Sequence, residues 1–149
     1  MSNDNKGYIF GAIFSLANRL QILGDKLDPK ITIKQWLFIA VVMKTEVKDA
    51  TISKLASLIG YSRQNVKKMA VILEKSGFIE FMKDDSDERI LRLRVTPKCY
   101  EYFKFRENKE EEFIEKLFDG LSDDIINCLS QGLFSLEKNI IKMENENER

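Results

Sequence analysis

The sequence predicts a mostly α-helical fold with one small β-hairpin, an α+β class. Apolar residues recur every three or four positions through most of the chain, which is typical of amphipathic helices. Only between residues 78 and 95 does the spacing change to two, as expected for strands. With 149 residues, 44% hydrophobic and 32% charged, the chain has the composition of a folded protein. We therefore expect a single domain over residues 1–149.

The first predicted helix covers residues 8–24. Its apolar positions follow helical spacing and include Ile9, Ile13, Leu16, Leu20 and Leu23. This face is wider than a small core usually covers. We therefore expect it to pack against a second copy of the chain.

The next two helices are predicted from their capping residues. Thr32 and Gln35 form the pattern of a capping box, in which each side chain satisfies a backbone amide of the other. The following apolar run, residues 36–43, is far shorter than the about 20 residues that a membrane span needs. Thr51 caps a short third helix, which Gly60 ends.

A fourth helix begins after Ser62 and ends at Gly77. Its apolar residues form one inward stripe at i, i+3, i+4 and i+7, namely Val66, Met69, Ala70 and Leu73. A strand over residues 78–83, a polar turn over 84–88 and a returning strand through Val95 follow. Helix, turn, helix and hairpin in this order predict a winged helix-turn-helix core over residues 32–96.

The chain after the hairpin is predicted to form two more helices within residues 97–143. Thr96 and Pro97 mark the start of the first, because proline fits the first helical position. Ser122 caps the second, whose apolar face runs from Leu121 to Ile140. With residues 8–24, these helices are expected to make the dimer.

Charge is unevenly distributed although the net charge is zero. Residues 51–98 contain ten Lys and Arg against six Asp and Glu, whereas residues 99–149 contain seven against thirteen. A basic centre with an acidic flank suits a central segment that faces DNA.

The sequence offers little for catalysis or metal binding. There is no histidine, and the two cysteines, Cys99 and Cys128, cannot form a zinc cluster. Gly-rich phosphate loops and nucleophile-elbow motifs are also missing. We expect no enzyme activity, no cofactor and no metal. The first residues do not read as a secretion signal, so a cytoplasmic location without membrane contact is expected.

The outward side of the fourth helix carries the candidate DNA contacts, Ser62, Arg63, Gln64, Asn65, Lys67 and Lys68. Arg suits guanine, while Gln and Asn suit adenine, in bidentate hydrogen bonds. Lys67 and Lys68 fit phosphates, and Ser62 at the helix start fits one as well. Val71 is expected on the same side, where it could meet a thymine methyl group. The alternative is an ordinary solvated helix face.

The core resembles that of the MarR family of bacterial regulators. The matching stretches are Leu55-Ala56, residues 58–62, residues 63–67 and residues 73–78. The wing contributes Asp87-Glu88-Arg89, followed six residues later by Val95-Thr96, where the family pattern is Asp-x-Arg and Leu-Thr. Cys99 stands where the family usually has glycine.

The resemblance implies a homodimer that binds a pseudo-palindromic operator, more often as a repressor than as an activator. It places Arg89 in a minor groove, with Asp87 supporting the wing by orienting Arg89 or by tying the wing to its own domain. The alternative for this pair is an exposed ion pair of little consequence.

Three other interpretations remain at this point. The first is a winged-helix module that binds protein rather than DNA. The second is a redox role for Cys99, since the first turn of a helix beside Lys98 favours thiolate, with Cys128 expected in the core. The third is a small aromatic effector bound near Trp36, Tyr100 and Phe103, residues that are better explained as core. A metal sensor lacks ligands.

Overall fold

The computed structural model describes the backbone of residues 2–147 and the side chains of residues 4–147. Its elements are α1 (Ser2–Leu27), α2 (Ile33–Lys44), a 3-10 turn (Val47–Asp49), α3 (Ile52–Ile59), α4 (Arg63–Lys75), β1 (Ile79–Lys83), β2 (Leu91–Val95), α5 (Pro97–Leu117) and α6 (Asp123–Asn147). The predicted class, mostly α with a β-hairpin wing, is confirmed.

The chain divides into two compact units, Met1–Glu107 and Asn108–Arg149. Helix α5 begins in the first unit and ends in the second, which also contains α6. The whole winged helix-turn-helix lies in the first unit. In the part of the chain that is described, no helix combines the length and the apolarity that crossing a bilayer requires.

The predicted capping residues begin the helices of the winged core. The backbone N–H of Gln35 donates to Thr32 Oγ1 at 3.2 Å, and the Gln35 side chain accepts from the backbone N–H of Thr32 at 3.0 Å. Thr51 caps α3 in the same way. Gly60 ends α3 with φ +77°, a left-handed conformation that costs glycine little.

Helix α1 is longer than predicted, starting at Ser2 rather than near Tyr8. No proline interrupts residues 2–8, and the carboxylate of Asp4 in the first turn interacts favourably with the positive end of the helix dipole. Near its other end Gly24 is buried against α2, where an added Cβ would lie 2.8 Å from Ile33 side-chain atoms. This glycine lets the two helices approach closely.

The core of the first unit lies between α2, α3, α4 and the hairpin. Its fully buried side chains include Phe38, Ile39, Leu55, Val66, Leu73, Ile79, Leu93 and Cys99. Trp36 and Phe103 pack against this cluster, as expected of core residues, whereas Tyr100 is half exposed.

The hairpin is held on the core by its second strand. Strands β1 and β2 are antiparallel, with Ile79 opposite Val95 and Phe81 opposite Leu93. The backbone N–H of Leu93 also donates to the carbonyl of Ala50 at 2.9 Å. The segment before α3 thus forms an isolated β-bridge to β2, with Thr51 opposite Arg92, and this bridge fixes the base of the wing beside α3.

A buried ion pair joins the end of α1 to α5 within the first unit. Arg106 Nη1 donates to Asp28 Oδ2 at 2.8 Å, and both side chains are about one tenth exposed or less. The Tyr102 hydroxyl donates to the same oxygen. Separating the two side chains would leave a buried charge without its counter-charge, which is strongly unfavourable. This ion pair therefore holds α5 against the loop that follows α1.

Candidate nucleic-acid interface

The fourth helix presents its predicted polar residues to solvent. Val66, Ala70 and Leu73 are buried and Met69 is half-buried, so the predicted inward stripe is confirmed. All six candidate contacts are exposed: Ser62, Arg63, Gln64, Asn65, Lys67 and Lys68. Val71, predicted on the outward side, is half-buried.

Ser62 caps α4 as an acceptor, and its hydroxyl proton remains available for a hydrogen bond to a ligand. Its Oγ accepts from the backbone N–H of Asn65 at 3.2 Å. A hydroxyl has one donor and two acceptor positions, so the O–H can still donate to a phosphate oxygen at the start of the helix. The helix dipole favours an anion at the same place.

One cleft of about 450 Å³ separates α4 from the wing. Four polar side chains from two elements meet there, Arg63, Gln64 and Lys67 from α4 and Arg89 from the wing. Three of the four are cations, and α4 contains no acidic residue before Glu74. The cleft can therefore hold a polyanion while Gln64 supplies both a donor and an acceptor.

The start of α3 completes this cleft and was missed as a site by sequence reasoning. Thr51, Ile52 and Ser53 line it. The first backbone N–H groups of a helix have no acceptor within the helix. Of these, the N–H of Lys54 donates to Thr51 Oγ1. Thr51 could have indicated this part of the site from the sequence, because a capping residue marks a helix start and a helix start beside basic side chains is suited to a phosphate.

Asn65 and Lys68 line a different cleft, of about 390 Å³, with residues of α1 and α2. Asp25 and Gln21 of α1 form its far side. The predicted contact set is thus divided. Arg63, Gln64, Lys67 and Arg89 share one cleft, while Asn65 and Lys68 face the first helix across another.

The wing turn holds Arg89 by a two-point contact with Asp87. Arg89 Nε donates to Asp87 Oδ1 at 3.0 Å, and Nη2 donates to Oδ2 at 3.1 Å. The Arg89 side chain is nevertheless 90% exposed. Hydrogen bonds from the Arg89 side chain and backbone N–H lower the pKa of Asp87, so its carboxylate remains charged at neutral pH.

The other two arginines of the hairpin are tied to its body. Arg92 pairs with Asp84 and its side chain is 22% exposed; Arg94 pairs with Glu80 across the strands and is 51% exposed. Arg89 is therefore the hairpin arginine that extends furthest into solvent.

The cysteines correct the sequence-based expectations. Cys99 is fully buried, and burial raises the pKa of its thiol to about 11. The helix dipole and Lys98 therefore do not produce a reactive thiolate: Lys98 Nζ donates instead to the carbonyl of Ser76 at 2.8 Å. Cys128, expected in the core, is exposed in the single chain. Within the described residues, no cluster of three metal-ligating side chains occurs.

Comparison with known proteins agrees with this geometry. The model of the MarR family matches residues 45–91. Transcriptional repressor MprA of Escherichia coli (strain K12) is 29% identical over 116 residues, which is 76% of this chain and 66% of that protein. An uncharacterized HTH-type transcriptional regulator of Bacillus subtilis (strain 168), YsmB, is 23% identical over 73% of this chain and 70% of its own length. The chain thus spans about two thirds of the length of these curated relatives.

Solved structures share the fold over nearly the whole chain. Sco3205, a MarR family transcriptional regulator from Streptomyces coelicolor in complex with DNA, has a TM-score of 0.80 with 15% identity, covering 91% of this chain and 88% of its own. Streptococcus pneumoniae FabT in complex with DNA has a TM-score of 0.68 with 23% identity, covering 93% and 99%.

The fold and the exposed basic helix define a winged helix-turn-helix protein. Residues 45–91, which hold α3, α4 and most of the hairpin, match the model of the MarR family. The resemblance to this family, predicted from the hairpin and the fourth helix, is therefore confirmed.

Proposed function

We propose that this protein is a sequence-specific, double-stranded-DNA-binding transcriptional regulator that acts as a repressor. The observation that carries the proposal is the cleft in which Arg63, Gln64 and Lys67 of α4 meet Arg89 of the wing. Sco3205 and FabT were solved in complex with DNA, and MprA is named a transcriptional repressor, which supports the same function here.

In this proposal α4 lies in a major groove and is the recognition helix. Arg63, Gln64 and Asn65 read base edges, Lys67 and Lys68 neutralise phosphates, and the Ser62 hydroxyl donates to one. Arg89 enters the adjacent minor groove, where A·T-rich sequence concentrates negative potential. Asp87 orients Arg89 and does not itself contact DNA.

The protein is proposed to act as a homodimer through α1 and the helices after the wing. In α1, Tyr8, Phe10 and Phe14 are between 59% and 76% exposed. In α6, Leu133 and Ile140 are more than half exposed. Complete burial of a fully exposed Phe, Leu or Ile side chain contributes about 1.5–3 kcal/mol, and these residues gain the share that corresponds to their exposed fraction. Exposed apolar faces of this kind mark interaction surfaces. Two-fold symmetry then gives a pseudo-palindromic operator.

The dimer is tested by the mass of the protein in solution. Light scattering at micromolar concentration should give twice the 17.4 kDa of the chain. Phe14→Glu, in the apolar face of α1, should shift the mass toward that of one chain, whereas Ser15→Glu, at an exposed position on the opposite side of the same helix, should not. A folded parent monomer would contradict the dimer and the palindrome together.

The protein is proposed to work in the cytoplasm by binding rather than by catalysis. DNA binding is assigned to residues 32–96, and dimerisation to residues 8–24 and 97–143. A small aromatic effector is a further proposed partner. A protein-binding module is the alternative class. The basic, acid-free stretch from Ser62 to Leu73 favours DNA.

Selection from fragmented genomic DNA tests the proposed function. The dimer should retain a small set of fragments that share two half-sites about 34 Å apart, one helical turn. Lys67→Ala should lose most of this retention, while Lys75→Ala, at the far end of the same helix, should keep it. Retention of no duplex at low salt would contradict the proposal and favour the protein-binding alternative.

A further inference from the structure

The wing turn is organised around the carboxylate of Asp84. Its Oδ2 accepts from the backbone N–H groups of Ser86 and Asp87, each at 3.2 Å, and from the Ser86 hydroxyl. Its Oδ1 accepts from Arg92 Nε at 2.7 Å. The Asp84 side chain is only 11% exposed, so it faces into the turn.

The turn connects Asp84 to Arg89 in two short steps. Asp84 fixes the backbone of Asp87, and the Asp87 carboxylate fixes the guanidinium of Arg89 by two hydrogen bonds. The turn is closed by the N–H of Ile90, which donates to the Asp87 carbonyl at 2.9 Å, and by the N–H of Asp84, which donates to the Ile90 carbonyl at 3.1 Å. Arg89 is exposed but is held in one direction.

We propose that Asp84 is a positioning residue for minor-groove recognition, acting through Asp87 on Arg89. This inference rests on the proposed DNA-binding function. A long exposed arginine loses rotamer freedom when it enters a groove, and a residue that orders it beforehand reduces that cost. Asp84 thus contributes to the preference for A·T-rich flanks without contacting DNA.

If Asp84 affected DNA binding only through its negative charge, replacing it would strengthen binding instead of weakening it. Replacing Asp84 by Asn removes a negative charge near the DNA and releases Arg92, which by electrostatics alone strengthens binding to every duplex. A positioning role instead predicts that flank preference falls. The two roles are therefore separable by comparing duplexes rather than by one affinity.

The test compares Asp84→Asn with Glu80→Gln in the full-length protein. Glu80 is also a hairpin carboxylate paired with an arginine, Arg94, but it lies on β1 rather than in the turn. Affinities are measured at fixed salt for duplexes that differ only in A·T or G·C flanks. Asp84→Asn should lower the A·T preference by about threefold or more, a fraction of the effect of removing a minor-groove arginine altogether, and Glu80→Gln should leave it unchanged.

A double-variant cycle tests whether Asp84 and Arg89 act on one interaction. Asp84→Asn combined with Arg89→Ala should show no further fall in flank preference than Arg89→Ala alone, because both then act on the same groove. Additive effects, or equal tightening on both duplexes, would overturn the proposal. If Asp84→Asn fails to fold, Ser86→Ala replaces it and should give a smaller shift in the same direction; no shift would overturn the proposal.

The outcomes also separate this inference from the proposed function. An Arg89-dependent flank preference that Asp84→Asn leaves intact would overturn the role of Asp84 alone. A parent protein that binds no duplex would overturn both.

Discussion

Asp87 holds the guanidinium of Arg89 by two parallel hydrogen bonds, at 3.0 and 3.1 Å, while the Arg89 side chain stays 90% exposed. A surface ion pair of this kind adds little to stability. Its geometric effect is larger, because a bidentate contact fixes the direction of a planar group. We therefore propose that the pair serves recognition rather than folding.

Arg89→Ala should leave the fold intact and weaken DNA binding. We expect melting within a few degrees of the parent and at least about a tenfold loss of affinity, or 1.4 kcal/mol, greatest on sites with A·T-rich flanks. Thermal melting and titration at fixed salt check this. Asp87→Asn should lose less affinity than Arg89→Ala; a large fall in melting temperature for either variant would make the pair structural instead.

Lys67→Ala and Lys68→Ala should weaken binding to all duplexes alike. Removing one lysine–phosphate interaction should reduce the slope of log K against log salt by about 0.9. Binding measured at several salt concentrations, with Lys75→Ala as the matched control on α4, gives the slopes. An unchanged slope for Lys67→Ala would show that this residue does not bind phosphate. Lys67 and Lys68 line different clefts, so the salt slope is determined for each variant separately.

Cys99 should be inert to thiol reagents in the native protein. Burial raises the pKa of its thiol from 9.0 to about 11, which leaves about a hundredfold less thiolate at neutral pH. In a Cys128→Ser variant, labelling should be negligible until the protein is denatured. Rapid labelling, or oxidation that releases DNA, would reinstate the redox role.

Asp84 should titrate well below an ordinary aspartate. Hydrogen bonds from the Ser86 hydroxyl and from Arg92 lower its pKa from 3.8 to about 2. Because the folded-state pKa is depressed, the stability it contributes is complete above about pH 4 and is lost as pH falls toward 2. Carboxyl NMR should give a midpoint near 2, and the stability difference between parent and Asp84→Asn should shrink over the same range. A midpoint near 3.8 would contradict the hydrogen-bonded turn.

Features fixed by short-range chemistry were predictable from the sequence. Thr32, Thr51 and Ser62 cap helices as expected, because a cap depends on residues within one turn. Gly60 and Gly77 end α3 and α4 with positive φ. The alternation of Leu91, Leu93 and Val95 located the second strand.

Features set by tertiary neighbours were not predictable. That Gln64 and Lys68 face different clefts depends on where α1 and the wing lie against α4. The redox role of Cys99 stayed an open alternative because its helix position favours thiolate, while the burial that opposes thiolate is invisible in the sequence. Asp84 could not be told from the other polar residues of the turn, since only its hydrogen bonds distinguish it.

Gln64→Ala tests most directly whether α4 reads DNA sequence. Gln64 lies exposed in the cleft with Lys67 and Arg89, and a bidentate contact to a base contributes about 1–3 kcal/mol of discrimination. Parent and variant are titrated at one salt concentration against the selected operator and against a scrambled duplex of equal composition. We predict that the variant binds the operator more weakly by about 1–3 kcal/mol and the scrambled duplex almost as well as the parent does. An unchanged ratio between the two duplexes would contradict a reading role for α4.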